Sequence, residues 1–158
     1  MRLSERAVSE ALAAMHKVSS LLKKLDERRF KEFGASLRTR LVDLPSLITE
    51  FGLLPVLSFY FAKSGEIYGM VFKAFEGEEV ERLRGSEISK EDFGYALALK
   101  LVLDNLAQKG LIGDEEIKHP HRALERLSGS PVVSLVKLRP FLMELKKLAE
   151  ALLPRERG

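Results

Sequence analysis

The chain has 158 residues, of which 46% are hydrophobic and 31% are charged, and it contains no cysteine. This composition fits one globular domain with a substantial core and excludes a disordered chain, a disulfide framework and a thiolate metal site. No apolar run approaches the roughly 20 residues that a membrane span needs, and the charged, amphipathic N-terminus is unlike a signal peptide. We therefore expect a single domain over residues 1–158, located in the cytoplasm and without a membrane partner.

The formal net charge of +3 and the pI of about 9.2 permit nucleic-acid binding without requiring it. Basic residues concentrate in 28–40 and 137–158, whereas acidic residues concentrate in 76–92. Separate basic and acidic surfaces would suit head-to-tail stacking of copies or one basic binding face, and the alternative is ordinary solvated helix faces. The scarcity of Asn and Gln beside abundant Arg, Lys and Glu favours a thermophilic source.

The first predicted element is a helix of about six turns, because apolar residues step by three and four through the N-terminal region. Its predicted core face consists of Val8, Leu12, Met15, Val18, Leu22 and Leu25.

Residues 37–63 form the densest apolar stretch, and residues 31–63 are predicted to be a core helical hairpin. Gly52 is expected to end a helix over about 31–51, bent or restarted near Pro45, through a left-handed C-cap. Pro55 suits the first turn of a second helix over about 53–63. The predicted core faces are Leu37, Leu41, Leu44, Ile48 and Phe51 on the first helix, and Leu54, Leu57, Phe61 and Ala62 on the second. Core packing is expected for Phe59, and Tyr60 is expected to be exposed.

The remaining chain also has helical patterns. A helix near 67–75 is followed by an acidic connection around Gly85, and Ser89 with Asp92 has the form of a capping box that opens a helix ending near Lys109. Residues 110–131 are the least regular, with a short helix over 121–128. Pro131 then begins a last helix that Pro140 must kink or divide. The apolar set of this last helix is Val133, Val136, Leu138, Phe141, Leu142, Leu145, Leu148 and Leu152. The prediction is an all-α, compact bundle of about six to seven helices.

No catalytic pattern emerges. His119 and His121 flank a proline without further ligands at metal-binding spacing, and there is no phosphate-binding glycine loop or nucleophile elbow. We expect neither an enzyme nor a cofactor or metal site.

Basic side chains are the better candidates for function, as contacts to RNA phosphates that are independent of sequence and sensitive to salt. We expect no aromatic residues to be interleaved among them as stacking platforms, which disfavours a single-strand reader of the stacking kind. The predicted RNA-binding residues are Arg38, Arg40, Lys63, Lys137, Arg139, Lys146 and Lys147.

One stretch also resembles a known family. The order Arg40-Leu41, Leu44-Pro45, Ile48, Gly52-Leu53, Leu57, Phe59 and Lys63 resembles the signature of the small subunit of the type III-B CRISPR–Cas effector, the Cmr complex. Residues 137–151, KLRPFLMELKKLAEA, resemble the last helix of that family. The two segments cover about 40 of the 158 residues.

The resemblance implies a compact helical subunit without catalytic activity, of which several copies stack along the backbone of a crRNA-guided complex. Its partners would be other subunits, crRNA and target RNA, with cleavage left to other subunits. Of the predicted RNA contacts, only Arg40 and Lys63 belong to the motif itself. Two alternatives remain open: the small subunit of another CRISPR effector type, and a helical protein–protein adaptor that would carry a large exposed apolar patch in place of a basic face.

Overall fold

The computed structural model of the chain describes residues 2–156, which are all-helical and contain no β-strand, so the predicted all-α class is confirmed. A 3₁₀ turn (Gly65–Ile67) joins the third helix to the fourth. The α-helices are α1 (Leu3–Leu22), α2 (Glu27–Phe51), α3 (Leu53–Ser64), α4 (Tyr68–Phe75), α5 (Val80–Arg84), α6 (Lys90–Gln108), α7 (Asp114–Lys118), α8 (Pro120–Leu127) and α9 (Pro131–Leu152). The described range therefore holds more helices than the predicted six to seven, because α5 and α7 are extra segments of five residues each. Among the residues described, no helix has the length and apolar character needed to cross a membrane.

Helix α6 is the centre of the bundle. It packs against α2, α3, α4, α7 and α9, and twelve of its 19 residues are buried. A helix that is apolar on nearly all sides is buried, whereas a surface helix has a single apolar stripe. Ser89 caps α6 as predicted, because its side chain accepts a hydrogen bond from the Asp92 backbone N–H at 3.1 Å.

Helices α2 and α6 come into close contact where Ser36 meets Gly94. Both residues are buried, and a Cβ added to Gly94 would collide with Ser36 Oγ and lie 3.1 Å from the Ser36 carbonyl carbon. The Phe33 and Phe93 rings stack beside this crossing, with their centroids 4.5 Å apart. Only glycine at position 94 lets the two backbones come this close.

The predicted core hairpin exists as α2 and α3, joined at Gly52. Pro45 lies inside α2 without dividing it, so of the predicted bend or restart at this residue the restart does not occur. Gly52 has φ 94° and ψ 159°, a conformation accessible essentially only to glycine but different from the predicted left-handed helical cap. The joint is therefore correct in position and in its need for glycine, and wrong in its backbone geometry.

The predicted core faces are right in part. Leu37, Leu41, Leu44 and Ile48 are buried as predicted, but Phe51 is 59% exposed at the end of α2. The buried face of α3 consists instead of Leu53, Val56, Leu57, Tyr60 and Ser64. Tyr60 is thus a core residue and Phe59 is 46% exposed, the reverse of both predictions. The physical reason is that α3 packs mainly on α6 and α2. These contacts bury a face of α3 that is not its most apolar face.

Helices α1 and α9 pack along each other, and small residues form part of their contact surfaces. Ala7 and Ala11 are buried in α1, while the predicted core residues Val8 and Leu12 are 38% and 49% exposed. On α9, Val133, Val136 and Leu152 are exposed, whereas Leu138, Phe141, Leu142 and Leu145 are buried as predicted. Pro140 is accommodated within a continuous α9.

Residues 110–131 are more regular than predicted, because α7 and α8 occupy much of this stretch. Tyr68 in α4 fixes the end of α7 by donating its hydroxyl to the carbonyl oxygen of Ile117 at 2.6 Å.

Replacing Gly52 by valine should destabilise the protein by about 1–3 kcal/mol, because a β-branched residue cannot adopt this backbone conformation without strain. Gly69→Ala is the matched control: Gly69 lies within α4 and has open space around its Cβ position, so alanine should stabilise by up to about 1 kcal/mol. Urea denaturation measures both effects. Unchanged stability in Gly52→Val would refute the strained joint.

Candidate nucleic-acid interface

The structure brings two predicted RNA-binding residues, Arg40 of α2 and Lys63 of α3, together with Phe59 of α3 and Tyr95 of α6. We call these four residues the aromatic–basic cluster. The Arg40 guanidinium carbon lies 4.5 Å from the Tyr95 ring centroid, and its Nη1 donates a hydrogen bond to the Tyr95 hydroxyl. Phe59 meets Tyr95 edge to face at 5.7 Å between centroids, and the Lys63 ammonium lies 5.5 Å from the Phe59 centroid. Both cations therefore lie against aromatic rings.

Tyr60 is buried and contacts the cluster from the protein interior. Its hydroxyl donates to the carbonyl oxygen of Arg40 at 2.9 Å, and its ring meets the Tyr95 ring at 5.0 Å between centroids. Burial raises the pKa of the Tyr60 phenol well above its ordinary value, and the nearby positive charge of Arg40 only partly opposes this. Tyr60 is consequently a neutral hydrogen-bond donor that holds the last turns of α3 against α2.

The exposed part of the cluster combines two kinds of contact. Phe59 is 46% exposed and Lys63 is also exposed, so an aromatic ring and a lysine side chain face solvent side by side. The Arg40 Nε is buried and has no hydrogen-bond partner within the described residues. An exposed aromatic ring can stack on a nucleobase, and adjacent cations can bind its phosphate. This corrects the expectation that no aromatics accompany the basic residues.

The other predicted RNA-binding residues lie elsewhere. Arg38, on α2, is half-buried, and its Nε likewise has no partner within residues 2–156. On α9, the side chains of Lys137, Arg139 and Lys147 are exposed and Lys146 is half-buried; Lys147 also forms an ion pair with Glu144 at 3.0 Å. No hydrogen bond or ion pair among the described residues joins the α9 cations to the aromatic–basic cluster.

Part of the basic run over 28–40 is structural. The Arg29 guanidinium donates to the carbonyl oxygens of Leu83 at 2.9 Å, Arg84 at 2.7 Å and Ser86, and so ties α2 to the end of α5. Arg29 therefore binds the carbonyl oxygens at the C-terminal end of α5, where Leu83 also accepts from the Ser86 backbone N–H and hydroxyl.

Arg28 and Lys31 instead line a groove together with Lys90 at the start of α6 and Arg155 after α9. Glu32 and Glu156 are the acidic residues of this groove. We call it the basic groove. Lys31 and Arg40 are nine residues apart on α2, which corresponds to about 14 Å along the helix axis. Nine residues are also about 2.5 helical turns, so Lys31 and Arg40 lie on opposite faces of α2, and the basic groove is a surface separate from the aromatic–basic cluster.

Sequence reasoning missed Tyr95, Lys90 and Arg155. Tyr95 contacts Arg40 across 55 positions of sequence, and no local pattern reports such a contact. One sequence signal for the site was available. Phe59 and Lys63 are four residues apart, so they share one helix face, and this spacing indicates an aromatic ring beside the lysine.

Among the described residues, the other polar groups form no metal-binding cluster. The rings of His119 and His121 lie edge to face, with centroids 6.1 Å apart. In the part of the chain that the structure describes, no three His, Cys, Asp or Glu side chains are placed to hold a metal ion.

No protein family, no curated protein and no solved structure matches this chain. Its resemblance to the small Cmr subunit therefore stays a prediction, and the residue geometry carries the functional argument.

Stability should fall at alkaline pH through Tyr60. Its pKa is raised in the folded state, so the unfolded chain loses this proton first as pH rises above about 10. The free energy of unfolding then falls by about 1.4 kcal/mol per pH unit for this one group. Tyr60→Phe should remove that slope in urea denaturation between about pH 9 and 11.5.

Tyr68→Phe is the parallel variant, because burial also raises the pKa of Tyr68. If the stability of Tyr60→Phe declines in parallel with that of the wild type over this range, the neutral buried phenol at position 60 is refuted.

Proposed function

We propose that this protein is a non-catalytic, RNA-associated subunit of a crRNA-guided type III-B CRISPR effector complex. In this proposal copies stack along the backbone filament and contact the guide or target RNA. The aromatic–basic cluster supplies an RNA contact through a base stacked on Phe59 and a phosphate bound by Lys63 and Arg40.

The observation that carries the proposal is the meeting of Arg40, Phe59 and Lys63 on one surface. These three residues belong to the stretch that resembles the Cmr small subunit, and they come together with Tyr95 although they lie on two helices and 23 positions apart. Exposed aromatic and cationic groups side by side are typical of surfaces that bind single-stranded nucleic acid. The basic groove, on another face of α2, is a separate positive surface.

RNA binding tests the proposal. A fluorescein-labelled single-stranded RNA should bind the purified protein weakly and with steep salt dependence in anisotropy titrations between about 50 and 200 mM salt. Phe59→Ala should weaken binding by about 1–3 kcal/mol through the lost stacking. Lys63→Ala should lower the slope of log K against log salt by about 1, because one phosphate contact is lost.

Lys24→Ala is the matched control for Lys63→Ala, since Lys24 is an exposed lysine beyond the end of α1. Arg38→Glu with Arg40→Glu tests the α2 arginines together. If Lys24→Ala and Lys63→Ala weaken binding equally, the contact is a diffuse charge effect and the proposed cluster is rejected.

The adaptor alternative has one observation in its favour. Five large exposed apolar residues lie on α9: Val132, Val133, Val136, Met143 and Leu152, which are 73%, 51%, 67%, 42% and 61% exposed. Exposed apolar area of this kind occurs at protein–protein contacts. The basic residues of α9 lie among them. This helix therefore carries both the exposed apolar area expected of an adaptor and the positive charge expected of an RNA-associated subunit.

Sedimentation velocity at low and high salt separates stacking through charge from association through the apolar residues of α9. Association that disappears at high salt supports head-to-tail stacking of basic and acidic surfaces, because exposed ion pairs are screened. Association that persists in high salt and is lost in Val136→Ser supports the adaptor.

A further inference from the structure

A groove between α1 and α9 lies outside the surfaces assigned so far. Its volume is about 480 Å³, and residues of α1, of α9 and of the end of α6 line it. None of the residues that line it belongs to the aromatic–basic cluster or to the basic groove. We call it the α1–α9 groove.

Apolar residues form much of the α1–α9 groove. Ala7 and Phe141 are buried, whereas Pro140 is exposed and Val136 is 67% exposed on the α9 side. The small side chain of Ala7 leaves space beside the larger residues of α9. Val133 is 51% exposed and lies three residues before Val136, so it extends the apolar surface by one turn of α9. Covering these side chains with apolar groups of a partner would be favourable.

The net charge of the groove is positive. Arg6 on α1 and Lys137 on α9 are exposed, and both are absent from the ion pairs found in residues 2–156. Glu10, the acidic residue of the groove, is already paired with Lys109 at 2.7 Å. Each of the two helices therefore contributes one positive charge without a counter-charge. A partner that carries carboxylates beside apolar side chains complements this surface.

The shape of the groove favours a helix as the bound element. Two helices form its long sides, and the described residues contain no β-strand whose edge could pair with an extended peptide. A helix can lie in such a groove through apolar anchors three and four residues apart. Phe141, the aromatic residue of the groove, is buried, so a nucleobase would find no exposed ring to stack on. A peptide therefore fits the groove better than RNA does.

We propose that the α1–α9 groove docks an acidic amphipathic helix of a partner protein. The apolar anchors of this helix cover Ala7, Val136 and Pro140, and its flanking carboxylates pair with Arg6 and Lys137. Lys137, which the sequence predicted to bind RNA, serves this contact instead. The groove is separate from the aromatic–basic cluster, so the docking of a helix does not depend on the RNA contact.

Fluorescence anisotropy of the full chain with labelled model peptides tests the proposal. The first probe is a peptide of about 14 residues with leucines on one helical face and glutamates elsewhere. The second has the same composition in an order that distributes the leucines around the helix, and the third has lysine in place of glutamate. We expect saturable binding of the first peptide at low salt, and binding at least about tenfold weaker for the other two.

Two substitutions in the groove should weaken binding of the first peptide by at least about tenfold each: Val136→Asp and Lys137→Glu. Both positions are exposed, so the fold should tolerate the changes, and circular dichroism checks this. Lys137→Glu should also bind the lysine peptide more tightly than the wild type does. Val132→Asp and Arg139→Glu are the matched controls, because both residues are exposed on α9 but do not line the groove.

Three results would overturn the proposal. The first is that none of the peptides binds. The second is that the control variants weaken binding as much as the groove variants, which would mean non-specific attraction to α9. The third is that single-stranded RNA displaces the peptide from Phe59→Ala as well as from the wild type, which would make the groove an RNA surface. Phe59→Ala should leave the peptide affinity unchanged, so failure of the RNA contact and failure of the docking groove are distinguishable.

Discussion

The close crossing of α2 and α6 is the constraint on which the rest of the structure depends. Gly94 lets the Ser36 backbone approach, and the stacked Phe33 and Phe93 rings fill the space beside it. A side chain at position 94 would push the helices apart. Arg40 would then no longer reach the Tyr95 hydroxyl, and the carbonyl group that Tyr60 binds would shift with it. The candidate interface therefore rests on backbone packing a few residues away from it.

Part of the positive charge of the chain is used within the fold. Arg29 binds carbonyl oxygens at the end of α5, Lys100 is buried between two carboxylates, and Lys109 pairs with Glu10 at 2.7 Å. The basic runs in the sequence thus overstate the charge that a partner can meet. The positive surfaces that remain for RNA are the aromatic–basic cluster, the basic groove and the outer face of α9. Of these three, only the cluster combines positive charge with an exposed aromatic ring.

Periodicity predicted the helical class, the position of the α2–α3 joint and the buried face of α2 because these follow from local spacing and glycine chemistry. It failed where neighbouring helices decide which face is buried. Ala7 and Ala11 are buried because small side chains let α1 approach α9, whereas the larger Val8 and Leu12 were assigned to the core on hydrophobicity alone. Tyr60 and Phe59 exchanged their predicted environments for the same reason. In the candidate site, Arg40 and Lys63 were predicted from charge, but Tyr95 joins them through a contact that spans 55 positions.

Photocrosslinking with RNA that contains 4-thiouridine tests the central claim most directly. Irradiation followed by peptide mapping locates the base, independently of how tightly the RNA binds. The account predicts crosslinks to Phe59 or Tyr95, with the α9 peptides labelled weakly. Crosslinks confined to α9, with none on the α3 and α6 peptides, would contradict it and move the RNA contact to the other basic surface.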